Sequence, residues 1–89
     1  MPPGFAPNFR LESRDATRNR ARFYALSIEL TLFGDHACAR RFGRIGARQG
    51  RVLLGLHASR EAALAELARL VAAKRRRGYV IVAAAPDGL

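Results

Sequence analysis

Apolar residues recur at every second position over residues 23–33, with Tyr24, Leu26, Ile28, Leu30 and Leu32 on one side. Ala25, Ser27, Glu29 and Thr31 fall on the other. A period of two is the signature of a strand with one buried face. Residues 8–14 alternate in the same way, Phe9, Leu11 and Ser13 against Arg10, Glu12 and Arg14, and predict a half-buried strand. Residues 15–20 are polar and read as a loop. Gly34-Asp35 supplies turn chemistry, so a hairpin into residues 36–46 follows. A turn over 47–50 then leads to a strand over 51–57 with Leu54 and Leu56 facing one way. Its register stays open, because residues 52–54 are continuously apolar and Gly55 invites a bulge.

From Ser59 onward the period changes to that of a helix. Ser59 is placed as an N-cap and Glu61 lies in the first turn, where negative charge is favoured. Leu64, Leu67, Leu70 and Val71 form an apolar stripe with Ala63, while Arg60, Glu66 and Arg69 lie off it. Lys74 continues the stripe with a packed stem and an outward ammonium. The run Lys74-Arg75-Arg76-Arg77 complements the helix dipole, and Gly78 is placed to end the helix. Tyr79 then opens a short apolar strand. The expected fold class is α+β, a small antiparallel sheet of four to five strands with one long helix packed on it. The expected domain runs over 8–85, between a proline-rich N-terminal tail (1–7) and a C-terminal tail (86–89).

Composition sharpens this picture. The 89 residues suit one small domain, and a hydrophobic content of 49% argues for a folded chain. Lys and Arg number 16 against 7 Asp and Glu, a formal net charge of +9, and Lys74 is the lone lysine. Arginine suits planar, bidentate contact with phosphate, so a polyanionic partner is indicated. The single cysteine, Cys38, excludes an internal disulfide. His36, His57 and Cys38 have no metal-ligand spacing, and no catalytic triad order, P-loop or dinucleotide fingerprint is present. The expectation is therefore no enzyme activity, no metal and no cofactor. No secretory signal or membrane span is read from the chain, which places it in the cytoplasm, or on the nucleoid if it binds DNA.

The most informative stretch is Arg40-Arg41-Phe42-Gly43-Arg44-Ile45-Gly46. As a strand it puts Phe42 on one face with Arg40 and Arg44, while Arg41 and Ile45 point the other way. A ring between guanidinium groups suits nucleic acid: the ring stacks on base or sugar and the arginines take phosphate. Against this, a Phe in a strand is ordinarily a core residue.

These residues resemble the signature of the WGR domain, found in poly(ADP-ribose) polymerases and in stand-alone bacterial proteins, with Phe42 in place of the signature Trp. Phe23-Tyr24-Ala25-Leu26 resembles the family's aromatic strand opening, and Ala73 to Tyr79 its helix-ending Lys, basic run and Gly-Tyr. The resemblance implies the same α+β architecture. It implies that Phe42 stacks at a DNA end, that Arg44 binds phosphate, and that Tyr79 and Lys74 reach a terminal phosphate. Arg22 matches a position where the family carries Lys, with Arg18 and Arg20 extending the same arc. Arg40, Arg48 and Arg77 complete the expected contact set, with Arg51 a further candidate. Phe lacks the indole N–H of Trp, and Gln49-Gly50 inverts the family's Gly-Gln turn. ADP-ribosylation in those polymerases resides in a separate, larger domain, so neither that activity nor NAD is carried over.

The expected function is binding of DNA at ends, nicks or gaps. The alternatives are docking on a repair or regulatory protein, and RNA binding.

Overall fold

The computed structural model describes residues 8–48 and 50–85. The tails expected at 1–7 and 86–89 lie outside the described residues, as does Gln49. Five strands form one antiparallel sheet: β1 (Asn8–Asp15), β2 (Arg20–Leu30), β3 (His36–Arg44), β4 (Arg51–His57) and β5 (Val80–Ala85). Among the described residues the one α-helix, α1 (Arg60–Arg76), joins β4 to β5. The spatial order is β4-β3-β2-β1-β5, so the helix carries the chain from one edge of the sheet to the other. The α+β architecture is as the sequence indicates.

Alternation decides which residues meet the helix. Leu11 pairs with Tyr24 and Tyr24 with Phe42, and Ile28 pairs with Cys38, so these side chains share one face. Leu11, Tyr24, Leu26, Ile28 and Cys38 are buried there with Ala63 and Leu67 of α1 and with Tyr79. Burial of such side chains contributes roughly 1.5–3 kcal/mol each, the main drive for docking the helix. Phe9, Phe42, Leu64, Leu70 and Val71 border this cluster.

The helix ends where its caps put it. Ser59 Oγ accepts from Ala62 N at 3.1 Å. At the other end Tyr79 N donates to Lys74 O at 3.1 Å and Gly78 N to Arg75 O at 3.0 Å. With Gly78 at φ +95°, this is a Schellman termination, which a side chain with a Cβ adopts only under strain.

One strand boundary needs correction, and the open register of the β4 strand is settled. The second strand stops at Leu30 rather than 33, and Leu32 and Phe33 are 100% and 92% exposed in the turn. The alternation that placed Leu32 in the core runs past the last residue the helix covers. The turn closes with Thr31 N donating to Asp35 O at 2.8 Å. Leu54 and Leu56 do share a face, but it is the open one, where both are exposed with Val52. No register shift occurs at Gly55; its lack of a Cβ instead makes room for the Glu66 carboxylate of the helix. Glu66, read as off the packed stripe, is therefore half-buried against β4.

Candidate functional site

The β1–β2 connection is a built turn. Asp15 Oδ1 accepts from Thr17 N at 3.1 Å and from Thr17 Oγ1 at 2.6 Å, capping a short 3-10 turn over Ala16–Arg18. Asn19 follows at φ 50°, in the left-handed region that Asn tolerates. From the end of β3, Arg44 donates through Nη1 to Asn19 O at 3.3 Å and through Nη2 to Asn19 Oδ1 at 3.1 Å. The guanidinium is thereby held in place beside Arg22, its cross-strand neighbour.

The termination of α1 brings a second set of cations to the same place. Together Arg18, Asn19, Arg20, Arg22, Arg44, Lys74, Arg77 and Tyr79 line a cavity of about 450 Å³. None of them is a carboxylate. Arg18 meets Asp15 at 3.6 Å; among the described residues the other cations of the cavity make no salt bridge. Like charges directly opposite on neighbouring strands are destabilising. The helix C-terminus offsets this for Lys74 and Arg77, but its field fades within a turn and does not help Arg20, Arg22 or Arg44.

Beneath the cations lies a set of rings. Tyr24 stacks on Phe42 with centroids 5.6 Å apart and an interplanar angle of 28°. Tyr24 meets Tyr79 edge-on at 6.3 Å. Lys74 Nζ sits 4.4 Å from the Tyr24 centroid and 5.4 Å from that of Tyr79, while the Arg20 guanidinium is 5.6 Å from the Tyr79 ring. Cation–π attraction of this kind is worth about 0.5–2 kcal/mol, more when desolvated. Burial, and then the neighbouring charges of Arg77, Arg40, Arg20 and Arg22, hold the Lys74 ammonium below its ordinary pKa. The Arg20 Nε is buried without a hydrogen-bond partner.

Of the residues expected in the interface, Arg22, Arg44, Lys74, Arg77 and Tyr79 converge on this cavity. Arg18 and Arg20, read as an extension of the arc, line it too. Asn19, which no pattern singled out, orders Arg44; a left-handed Asn closing a tight turn is its sequence trace. Phe42, Arg40 and Arg48 lie elsewhere. Phe42 shares the face of Arg40 and Arg44, yet its ring is half-buried against the core and stacked on Tyr24 rather than standing free. Arg40 is partly buried under the helix with its Nε unpartnered. Arg48 lines a different cavity, beside Phe23 and Arg41. Phe42→Ala is consequently expected to destabilise the fold by about 2 kcal/mol, roughly half the loss of a fully buried ring. Urea titration followed by circular dichroism measures this, and an unchanged midpoint would show the ring to be a free reading element.

His57 and Glu66 form a pair at 2.7 Å between β4 and the helix. Burial, with Glu66 nearby, pushes the Cys38 thiol up to about 11, which makes it an inert core residue rather than a nucleophile. No cluster of ligating side chains suited to a metal occurs among the described residues. No helix among them is long and apolar enough to cross a membrane.

The chain is 42% identical over 69 residues to an uncharacterized protein, y4dW, of Sinorhizobium fredii. The match covers 78% of this chain and 33% of that relative, so the chain spans about a third of its length. No solved structure matches. The WGR domain pattern matches residues 8–86, from the first described strand to just past the last. The protein belongs to the WGR domain family, in general a nucleic-acid-binding type of module.

Proposed function

We propose that this chain binds DNA at ends, nicks or gaps, seating backbone phosphate in the cavity between the β1–β2 turn and the end of α1. The supporting observation is the convergence of Arg20, Arg22, Arg44, Lys74 and Arg77 on one concavity that no carboxylate lines. Arginine forks and a lysine point charge are the groups that take phosphate, and phosphate contacts supply most of the affinity of a basic module for nucleic acid. The Tyr79 hydroxyl is the neutral donor of the set. Phe42 supports Tyr24, and through it Lys74, from below. In this reading the chain binds without catalysing a reaction and needs no cofactor.

Arg44→Ala is expected to cost about 1–3 kcal/mol of binding, since the guanidinium is already ordered by Asn19 and gives a direct contact. Fluorescence anisotropy on blunt, nicked and gapped DNA duplexes, with RNA duplex alongside, measures it. Affinity equal to that of the unaltered chain at low salt rejects the role, and stronger binding to RNA moves the reading to that polymer. A second reading, docking on a repair or regulatory protein, draws on the exposed Leu32 and Phe33 of the β2–β3 turn. Leu32→Ser with Phe33→Ser separates the two, because it leaves DNA affinity unchanged and abolishes a partner that grips the turn.

A further inference from the structure

The face of the sheet away from the helix carries a second basic surface, of different chemistry. One register row there runs Arg10, Ala25, Arg41, Val52 across β1, β2, β3 and β4. The next row holds Glu12, Phe23 and Gly43. Small residues thus separate larger ones, with Arg10 and Arg41 about 10 Å apart across two strand spacings. Arg10, Phe23, Arg41, Arg48, Arg51 and Val52 are among the residues lining a cavity of about 580 Å³. The Arg10 guanidinium lies 4.7 Å from the Phe23 centroid.

Charge on this face is unevenly compensated. Glu12 binds Arg10 at 3.0 Å and Arg14 at 3.1 Å, and hydrogen bonds from these two arginines hold its carboxyl below the usual range. Arg41 and Arg48 make no salt bridge among the described residues and are exposed. A half-buried ring amid free guanidinium groups on an open sheet matches the requirements for unpaired nucleotides. Their bases need a flat apolar or guanidinium surface, and their phosphates need cations alongside. Duplex stems hide their bases, so the phosphate cavity on the other face has no such need.

We propose that this open face is a separate binding surface for single-stranded nucleic acid. A base stacks at Phe23 and Arg10 while the strand's phosphates run along Arg41 and Arg48. The proposal rests on the nucleic-acid reading above and adds a second site to it. A chain holding duplex in one cavity and a loose strand on the opposite face is suited to junctions between paired and unpaired DNA.

The test measures anisotropy of labelled dT12 and U12 strands and, separately, of a labelled blunt duplex, on four forms of the chain. Arg41→Glu with Arg48→Glu is expected to weaken strand binding tenfold or more and duplex binding less than threefold. Arg44→Ala with Lys74→Ala reverses that pattern. Phe23→Leu, chosen to keep an apolar side chain in the sheet, weakens strand binding about fivefold or more through lost stacking; its thermal midpoint is read beside it. Strand displaced one-for-one by duplex, or both variants acting equally on both ligands, overturns the second site while leaving DNA binding intact. Polyglutamate bound as tightly as dT12, with Phe23→Leu without effect, assigns the face to an acidic protein instead. Loss of all binding to strand and duplex alike overturns the nucleic-acid reading itself.

Discussion

Raising salt from about 50 to about 200 mM is expected to lower the affinity of this chain for a DNA duplex about 500-fold, if it binds as proposed. The figure follows from a log–log slope of about −4.5 for about five phosphates neutralised. Arg20, Arg22, Arg44, Lys74 and Arg77 are the groups that set that number. Arg18 is left out because Asp15 already shares its charge. Each phosphate engaged releases its condensed counterions, and that release weakens as bulk salt rises. A titration series at increasing potassium chloride gives the slope directly. Arg22→Ala and Arg77→Ala are each expected to make it shallower by about one unit. A slope close to zero would mean that the cations are ordinary surface charge and that any binding rests on apolar contact.

Tyr24→Ala is expected to remove about 3–5 kcal/mol of stability, as truncation of a buried aromatic does. An 89-residue domain has only about 5–15 kcal/mol in total, so a large part of the chain population unfolds. Tyr24 is 4% exposed at the centre of β2, between Leu11 and Phe42, and carries Lys74 on its ring. Its loss opens a cavity and also lets the ammonium leave its place beside the basic cavity. Tyr24→Phe keeps the ring and is expected to cost under about 1.5 kcal/mol, with duplex affinity retained. Urea unfolding and anisotropy on the same samples separate the two effects. A Tyr24→Ala chain as stable as the parent would contradict the packing described.

Phe42 shows how far alternation reaches. It places the ring correctly on one face with Arg40 and Arg44, and β-sheet register confirms the grouping. Yet a shared face says nothing about what covers it. The helix crosses over Arg40 and leaves Arg44 in the open, because α1 starts beside β4 and its last turn sets Lys74 over Tyr24 of β2. Arg48 likewise looked like a neighbour of the signature, but the β3–β4 turn carries it to the opposite side. Leu32 continued a perfect period and still ended in solvent, since the pairing strand begins at His36 and the chain must turn before it.

By itself the sequence determined what depends on near neighbours along the chain. These are the two-residue period of the strands, the Ser59 cap, the glycine stop at Gly78 and the excess of arginine. Such features need only local sterics, hydrogen bonds and composition to act. The tertiary structure alone decided that Arg20, Arg22 and Arg44 would meet Lys74 and Arg77 across one cavity, and that Arg48 would join Phe23 at another. Those encounters join positions tens of residues apart. Only the path of the helix across the sheet, fixed by burial of Leu11, Tyr24 and Leu67 together, brings them within reach.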